Sequence, residues 1–419
     1  MSERIPSIEE QDHDYKKWIL DQEFSNIDDD KVKYTIIEEL KILSQMDVKE
    51  YTLWQKYNEL KIKYPIVDNT NLFFQGDNTN YYPKLNELKN NIWIPESPED
   101  YLKLEPELIL ANEPSLVKTW NTLRVFIHTQ RNNPNIGRNM FFIVKDKITG
   151  KFLGLVCITG DFLDLTVRDK YIGWTREQRT DGGRLKYTCI GSTIVPTQPL
   201  GFNFVGGKLL ALLAISNVIE EQYKKKYGNI IAGITTTSLY SSFSQYQNLS
   251  YWNKRGHSAG SIRFEPSKKT VQLIKDWMRY KHPRKYWEWW VATRKKGLEK
   301  GSMPLKRDYK QRALSFTYSQ MKIPKEYIST SHQRGIYFCR LYENTNEFLR
   351  EEIEENKLIK RFDNSVEALT DIWKEKYAKK RITKMLKEGK YNKNTLFYND
   401  MIGKSWEECK EMYLREVGR

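Results

Sequence analysis

The chain is poor in the residues that would staple a small secreted fold or hold a metal. Only four cysteines occur in 419 residues, Cys157, Cys189, Cys339 and Cys409, all far apart and none in a C-x-x-C pair. That spacing excludes a disulfide framework and the usual zinc motifs, and it points to reduced thiols in a cytoplasmic setting. No run of about 18 apolar residues exists to span a membrane, and the polar start Met1–Pro6 has no apolar signal core. Phosphate-binding P-loops, H-E-x-x-H, the Rossmann glycine fingerprint and a Ser-His-Asp order are all missing, which argues against ATPase, zinc protease and dinucleotide-dependent classes. His128 and His257 stand alone. There is no internal repeat and no low-complexity tract.

Basic and aromatic residues are abundant. The net charge is +15 and aromatics make up 13% of the chain. Residues 1–60 carry 8 Lys/Arg against 15 Asp/Glu, whereas residues 263–312 carry 16 against 5. Charge separated in this way suits a polyanionic partner on one face, DNA in the first place and RNA as an alternative. The simpler account is a lysine-rich surface everywhere. Between Trp277 and Trp290 six aromatics alternate with cations, so bases can stack while Arg279, Lys281, Arg284, Lys285 and, beyond them, Arg294, Lys295 and Lys296 meet phosphates. An amphipathic helix with its tryptophans in the core fits the same pattern.

Hydrophobic periodicity divides the chain into a helical acidic region (1–100), a core (101–265), a basic aromatic region with short strands and a helix that completes the core (266–355), and a charged helical C-terminal region (356–419). Ser115 suits a helix cap before Leu116, Trp120, Leu123 and Ile127. Met140–Ile158 reads as a hairpin around Gly150. Ile190–Pro196 reads as a strand, Leu209–Tyr223 as a long helix and Ile230–Thr235 as a second buried strand. A strand that feeds a helix through glycines leaves unpaired amides at the helix start, where anions bind. The candidate donor-phosphate residues are therefore Val195, Gly201, Asn203, Val205, Gly206, Gly207 and Lys208.

The order helix, hairpin, strand, glycine turn, helix, strand resembles the GNAT acyltransferase fold. Thr149–Ile158 is similar to its hairpin, Asn203–Lys208 to its pyrophosphate loop (with Asn203 in place of a basic residue and Lys208 in place of a small one), and Trp252–Gly256 to its later aromatic step. This implies an α+β fold: a GNAT-like mixed central sheet flanked by helices, with helical N- and C-terminal extensions. Arg168–Trp174, Thr235–Thr237, Tyr251–Asn253 with Gly256 and Gly260, and Arg334–Phe338 with Leu341–Tyr342 look like the DruA-type domain of the Druantia anti-phage system. The Mom-type phage DNA-modification proteins are a more remote comparison. The resemblance implies a role in phage–host conflict on or near DNA. One expectation is a transferase that moves an acyl or aminoacyl group onto a base, with acetyl-CoA or another activated donor as cofactor. The alternatives are a DNA-binding protein that keeps the scaffold without the donor site, and an RNA- or protein-directed acyltransferase. Candidate catalytic residues are Asp169, Glu177 and Tyr240. Arg168 and Trp174 can offer a guanidinium and a stacking ring to nucleic acid, as can Trp252; the alternative for Arg168 is an internal salt bridge with Trp174 packed in the core. No metal is expected. The acidic N-terminal segment could cover the basic face.

Overall fold

A computed structural model describes residues 8–63, 66–68, 71–72, 87–127, 137–203, 205–239, 244–292, 306–391, 398–401 and 403–417. Its centre is a seven-stranded mixed sheet formed by β1 (Pro106–Leu110), β2 (Asn139–Asp146), β3 (Phe152–Gly160), β4 (Thr188–Pro196), β5 (Gly233–Ser238), β6 (Asn253–Arg263) and β7 (Ser329–Arg340). The spatial order is β1-β2-β3-β4-β5-β7-β6. Neighbours from β1 to β4 are antiparallel, β4 and β5 are parallel, and β5 and β7 are antiparallel. The expected hairpin is β2–β3, and Gly150 at its turn has φ +67°, a left-handed value that glycine adopts without a Cβ penalty.

β3 is buried along both faces, which accounts for the near-continuous apolar run Phe152–Ile158. On one face Phe142, Val144, Val156 and Ile158 pack with Leu209–Ile215 and Trp373. On the other, Ile143, Leu155 and Cys157 pack with Leu53, Trp120, Phe126 and Cys409. A Cβ at Gly154 would stand 2.7 Å from the Val195 carbonyl and 3.0 Å from Leu210, so only glycine lets the helix lie this close to the sheet. The expected long helix is instead two, Gly206–Leu213 and Asn217–Tyr227 with Ser216 at the second N-cap position. The helix at 114–123 starts on Pro114 after Glu113, so Ser115 is inside it rather than at its cap.

The chain divides into two compact units along lines other than the expected segments. One comprises 1–47 with 261–332; the other comprises 48–260 with 333–419. The reason lies in packing. Within the first unit, Ile8–Leu20 and Asp29–Ser44 lie against Lys268–Tyr286: Trp18 stacks on Tyr286, Tyr15 meets Trp287 edge-on, and Trp277 Nε1 donates to Asp29 Oδ1 at 2.8 Å. Within the second, Val48–Lys63 places Leu53 and Tyr57 in the apolar cluster that also holds Trp120 and Cys409.

Candidate functional site

The parallel pair β4–β5 parts as it runs. Pairing extends from Thr188↔Gly233 to Gly191↔Thr236 and then stops, although β4 continues to Pro196 and β5 to Ser238. Thr236 Oγ1 donates to the Gly191 carbonyl at 2.9 Å at the fork, and Gln245 Nε2 donates to the Ile194 carbonyl at 2.8 Å beyond it. The Gly206–Leu213 helix starts beside this fork, but the glycine turn faces protein. Leu200 occupies the space in front of Gly206, and a Cβ on Gly207 would come within 2.7 Å of Gln245 Oε1. Lys208 Nζ donates to the carbonyls of Gln245 (3.3 Å) and Gln247 (2.5 Å) and lies over the Tyr377 ring. Burial lowers the Lys208 ammonium from its ordinary value to about 8. Asn203 is buried and donates to Tyr101 Oη at 3.2 Å, while the Val205 carbonyl accepts from Trp373 Nε1 at 3.0 Å. Val195 is partly buried in the opposite core, and Gly201 packs on Pro196. The expected open anion cradle is thus corrected: neighbouring side chains cover its glycines, because the loop Ser244–Ser250 folds into the fork.

At the other end of the same strands lies a buried ion network. β3 delivers Asp161 just past its last residue, and the helices Thr166–Ile172 and Arg176–Thr180 deliver Arg168, Asp169 and Arg179. The second helix is fixed by a reciprocal capping box between Thr175 and Gln178. Arg168 has no exposed side-chain surface and bridges Asp161 Oδ1 (2.7 Å) and Asp169 Oδ1 (2.7 Å). Asp169 also accepts from Trp174 Nε1 and the Leu165 amide, both at 2.9 Å, and pairs with Arg179 at 3.2 Å. Arg179 reaches on to the exposed Asp164 at 2.6 Å. Asp161 accepts from Thr235 Oγ1 at 3.1 Å and from the Phe162 amide at 2.8 Å. Burial pushes the Asp161 carboxyl upward, while Arg168 pulls it down.

This placement corrects three expectations. Arg168 and Trp174 offer nothing to nucleic acid, since one is fully buried and the other is 6% exposed with its indole N–H committed. Asp169 is held by two guanidiniums, an indole and an amide, so it has no lone pair set aside for a general base. Trp252 is likewise a core residue, donating to the Ala211 carbonyl at 2.9 Å. Glu177 is exposed on its helix. Tyr240, His128 and Arg294–Lys296 lie outside the described residues. Asp161, Asp164 and Arg179 escaped the sequence reading because their link to Arg168 is spatial; the only hint was their density in Asp161–Arg179.

In the first unit the described nucleic-acid cation candidates are engaged except Lys285. Arg284 pairs with Asp12 (2.6 Å) and Glu288 (3.0 Å), Lys281 with Asp29 (3.6 Å), and Arg279 donates to the Glu23 carbonyl at 2.7 Å. Lys285 remains exposed, over the Phe316 ring.

The second unit presents cations more openly. Residues 374–390 hold eight Lys/Arg against two Glu. The π-helical turn Lys374–Ala378 runs into the helix Lys379–Lys387, anchored by buried Ala378, Ile382 and Met385. Anchors at this spacing turn Lys376, Lys380, Lys384 and Lys387, four, four and three residues apart, toward solvent as one stripe. Among the described residues Lys376, Lys380 and Lys387 have no carboxylate at ion-pair distance; Lys384 has Glu388 at 3.7 Å. Tyr377 within this stretch accepts from the Ser250 amide at 2.7 Å, which ties the helix to the loop that fills the fork.

Fold and surface together define a mixed α+β protein with a filled strand fork, a buried ion network and a cationic helix. Its family is given by comparison with known proteins: the model described as Druantia protein DruA matches residues 106–351, more than half of the chain, and the chain belongs to that family. It is similar to the Druantia protein DruA of Escherichia coli (strain UMEA 4076-1), 28% identical over 160 residues. That alignment covers 34% of this chain and 39% of the relative's length. No solved structure matches. The match takes in the sheet and the ion network; the lysine helix lies beyond it. Among the described residues no helix is long and apolar enough to cross a membrane, and no group of three His, Cys, Asp or Glu side chains is placed to hold a metal ion.

Proposed function

We propose that the chain serves anti-phage defence as a nucleic-acid-gripping protein on a GNAT-like scaffold whose donor site has been closed by its own side chains. The observation that carries this reading is the stripe Lys376, Lys380, Lys384 and Lys387, held outward on a helix whose other face is core. Lysines without carboxylate partners attract phosphates and release condensed counterions, so binding draws most of its strength from the backbone and little from sequence. The strand order, the parallel pair β4–β5 and the fork within it support the GNAT-like part. Lys208, set across the fork on two carbonyls, supports the non-catalytic alternative. Fluorescence anisotropy with single-stranded and duplex DNA over a salt series tests the reading. The expected result is binding that weakens steeply with salt and shows little sequence preference. Absence of binding to either strand form at low salt would remove it.

The transferase reading, acyl or aminoacyl transfer to a base, keeps one favourable observation, the fork itself. It requires the loop Ser244–Ser250 and Lys208 to move aside for a donor such as acetyl-CoA. A rise in melting temperature with acetyl-CoA, together with altered nucleosides in DNA from cells expressing the protein, would establish it. No shift with intact DNA binding favours the closed scaffold.

A further inference from the structure

Three arginines at the β6–β7 side of the sheet have no acidic partner among the described residues. Arg255 lies on β6, Arg340 ends β7, and Arg361 follows the bridge Tyr342↔Lys360. Among the described residues none of the three has a carboxylate at ion-pair distance. Arg255 Nε, Arg340 Nε and Arg361 Nη1 are each shut off from solvent with no hydrogen-bond partner among the described residues. Buried donors left in this state are costly, the more so on charged groups. Arg340 and Arg361 are close enough to repel Arg255: burial lowers its guanidinium first, Tyr171 raises it, and the charges of Arg340 and Arg361 lower it further.

The surroundings hold the groups in place instead of letting them part. The Arg255 guanidinium lies over the Tyr171 ring, 3.4 Å from its centre. Arg340 Nη1 donates to the Glu343 carbonyl at 3.0 Å. The Arg361 amide donates to the Leu341 carbonyl at 3.2 Å, and the next residue, Phe362, stacks on Tyr251 with ring centres 3.7 Å apart. Tyr251 itself has φ +72°, a conformation a tyrosine keeps only when its surroundings enforce it. Nearby carboxylates are otherwise occupied: Glu220 pairs with Lys360 and accepts from Asn364, and Asp363 accepts from the Ser365 amide at 2.9 Å.

We infer that Arg255, Arg340 and Arg361 form a receptor for a phosphate group, one whose oxygens take the unpartnered guanidinium donors. Guanidinium forks match phosphate geometry and exceed ammonium groups as partners for it. The proposed function above enters only as the source of that phosphate, a phosphodiester of the gripped strand; the receptor itself stands on the three arginines. Tyr171 beside Arg255 offers a ring at the same place.

The test uses the full chain and its Arg255→Gln, Arg340→Gln, Arg361→Gln and Arg255→Lys forms. Melting temperature is followed against inorganic phosphate, with chloride at matched ionic strength as the reference. A saturable rise in the wild type that is lost in each Gln form, and reduced in Arg255→Lys, supports the receptor. No saturable rise in the wild type, or a rise that survives Arg255→Gln and Arg361→Gln in folded protein, overturns it. Competition then identifies the source. A short single-stranded oligonucleotide that displaces phosphate, with affinity falling about tenfold in each Gln form, assigns the phosphodiester. Phosphate binding with no oligonucleotide binding leaves the receptor standing for a free phosphate ligand and removes the nucleic-acid reading. Oligonucleotide affinity unchanged in all Gln forms removes the receptor from nucleic-acid binding and leaves the lysine stripe as its sole basis.

Discussion

Replacing Lys376, Lys380 and Lys387 together with Gln tests the lysine stripe quantitatively. Gln and Lys have nearly equal helix propensity, and the anchors Ala378, Ile382 and Met385 are untouched, so the helix should persist. Each lysine that neutralises a duplex phosphate contributes about 0.9 to the slope of log affinity against log salt. Three lysines therefore account for a slope change of about 2.7. At about 0.15 M salt the same relation gives about 0.7 log units per lysine, so the triple form should bind duplex DNA about 150-fold more weakly. From Lys376 to Lys387 the helix advances by about 16 Å, a length along which a duplex presents several phosphates, so all three contacts can be made at once. The assay is anisotropy of a labelled duplex over a salt series, with circular dichroism confirming the fold. Lys224, Lys225 and Lys357, also exposed, form the comparison set when changed to Gln. If that set lowers the slope as much as the stripe does, the interaction follows bulk charge and the assignment of the helix is wrong. An unchanged slope in the stripe variant refutes it as well.

The buried network gives a stability prediction. Asp161→Asn leaves Arg168 with half its compensation in a site without solvent, and the expected loss is about 3 kcal/mol in urea unfolding. Arg168→Met added to Asp161→Asn should cost less than the sum of the two single changes; strict additivity would show that the pair is not coupled. For Lys208 the sign follows from its lowered value. Between about 8 and the ordinary 10.5 the folded chain binds fewer protons than the unfolded one, so the wild type should gain stability relative to Lys208→Met as pH rises from 7.5 to 9.5. A difference that stays flat over this window would place the ammonium in solvent. In the first unit, Asp12→Lys with Asp29→Lys removes Asp12 from Arg284, which keeps Glu288, and Asp29 from Lys281. The expected effect at low salt is DNA binding tightened at least several-fold. Unchanged affinity would mean that the acidic helices do not act as a cover.

Four of the seven strands were legible because their signals are local. The β2–β3 hairpin announced itself by two β-rich runs around Gly150, and β4 and β5 by apolar segments on either side of a glycine turn. The family was legible from Arg168–Trp174, yet the same residues misled about chemistry. A sequence in which Arg, Asp, Tyr and Trp adjoin reads equally as a binding surface and as a buried clamp. What decides is whether a carboxylate from elsewhere arrives, and Asp161 does so only because β3 ends beside the start of β4. The glycine turn failed for a related reason: Gly206 and Gly207 permit close approach of anything, and Leu200 and Gln245 took the space an anion would need. The lysine stripe was visible as charge but not as a surface, since its direction depends on Ile382 and Met385 finding the core.

These misreadings share a physical cause that bears on function. A cation's value to a polyanion is set by the carboxylates already near it, and sequence reports only those along the chain. Arg284 sits in the most basic segment and is neutralised by Asp12, 272 residues away. Arg168 is neutralised by Asp161 and Asp169. Lys376, Lys380 and Lys387 occupy a helix with few acids, and Arg255, Arg340 and Arg361 lie well apart in sequence; among the described residues none of the six has a carboxylate at ion-pair distance. Ranked by unspent charge and not by local density, the strongest candidates for phosphate contact among the described residues move from 277–285 to the second unit. Mutating the two groups separately and together decides whether they grip one strand. If the lysine helix and the arginine receptor contact the same nucleic acid, losses in affinity from Lys380→Gln and Arg361→Gln should add in log units, as for independent contacts on one ligand, and the salt slope should fall for each. A double form no weaker than Arg361→Gln alone would show that only the receptor meets the strand.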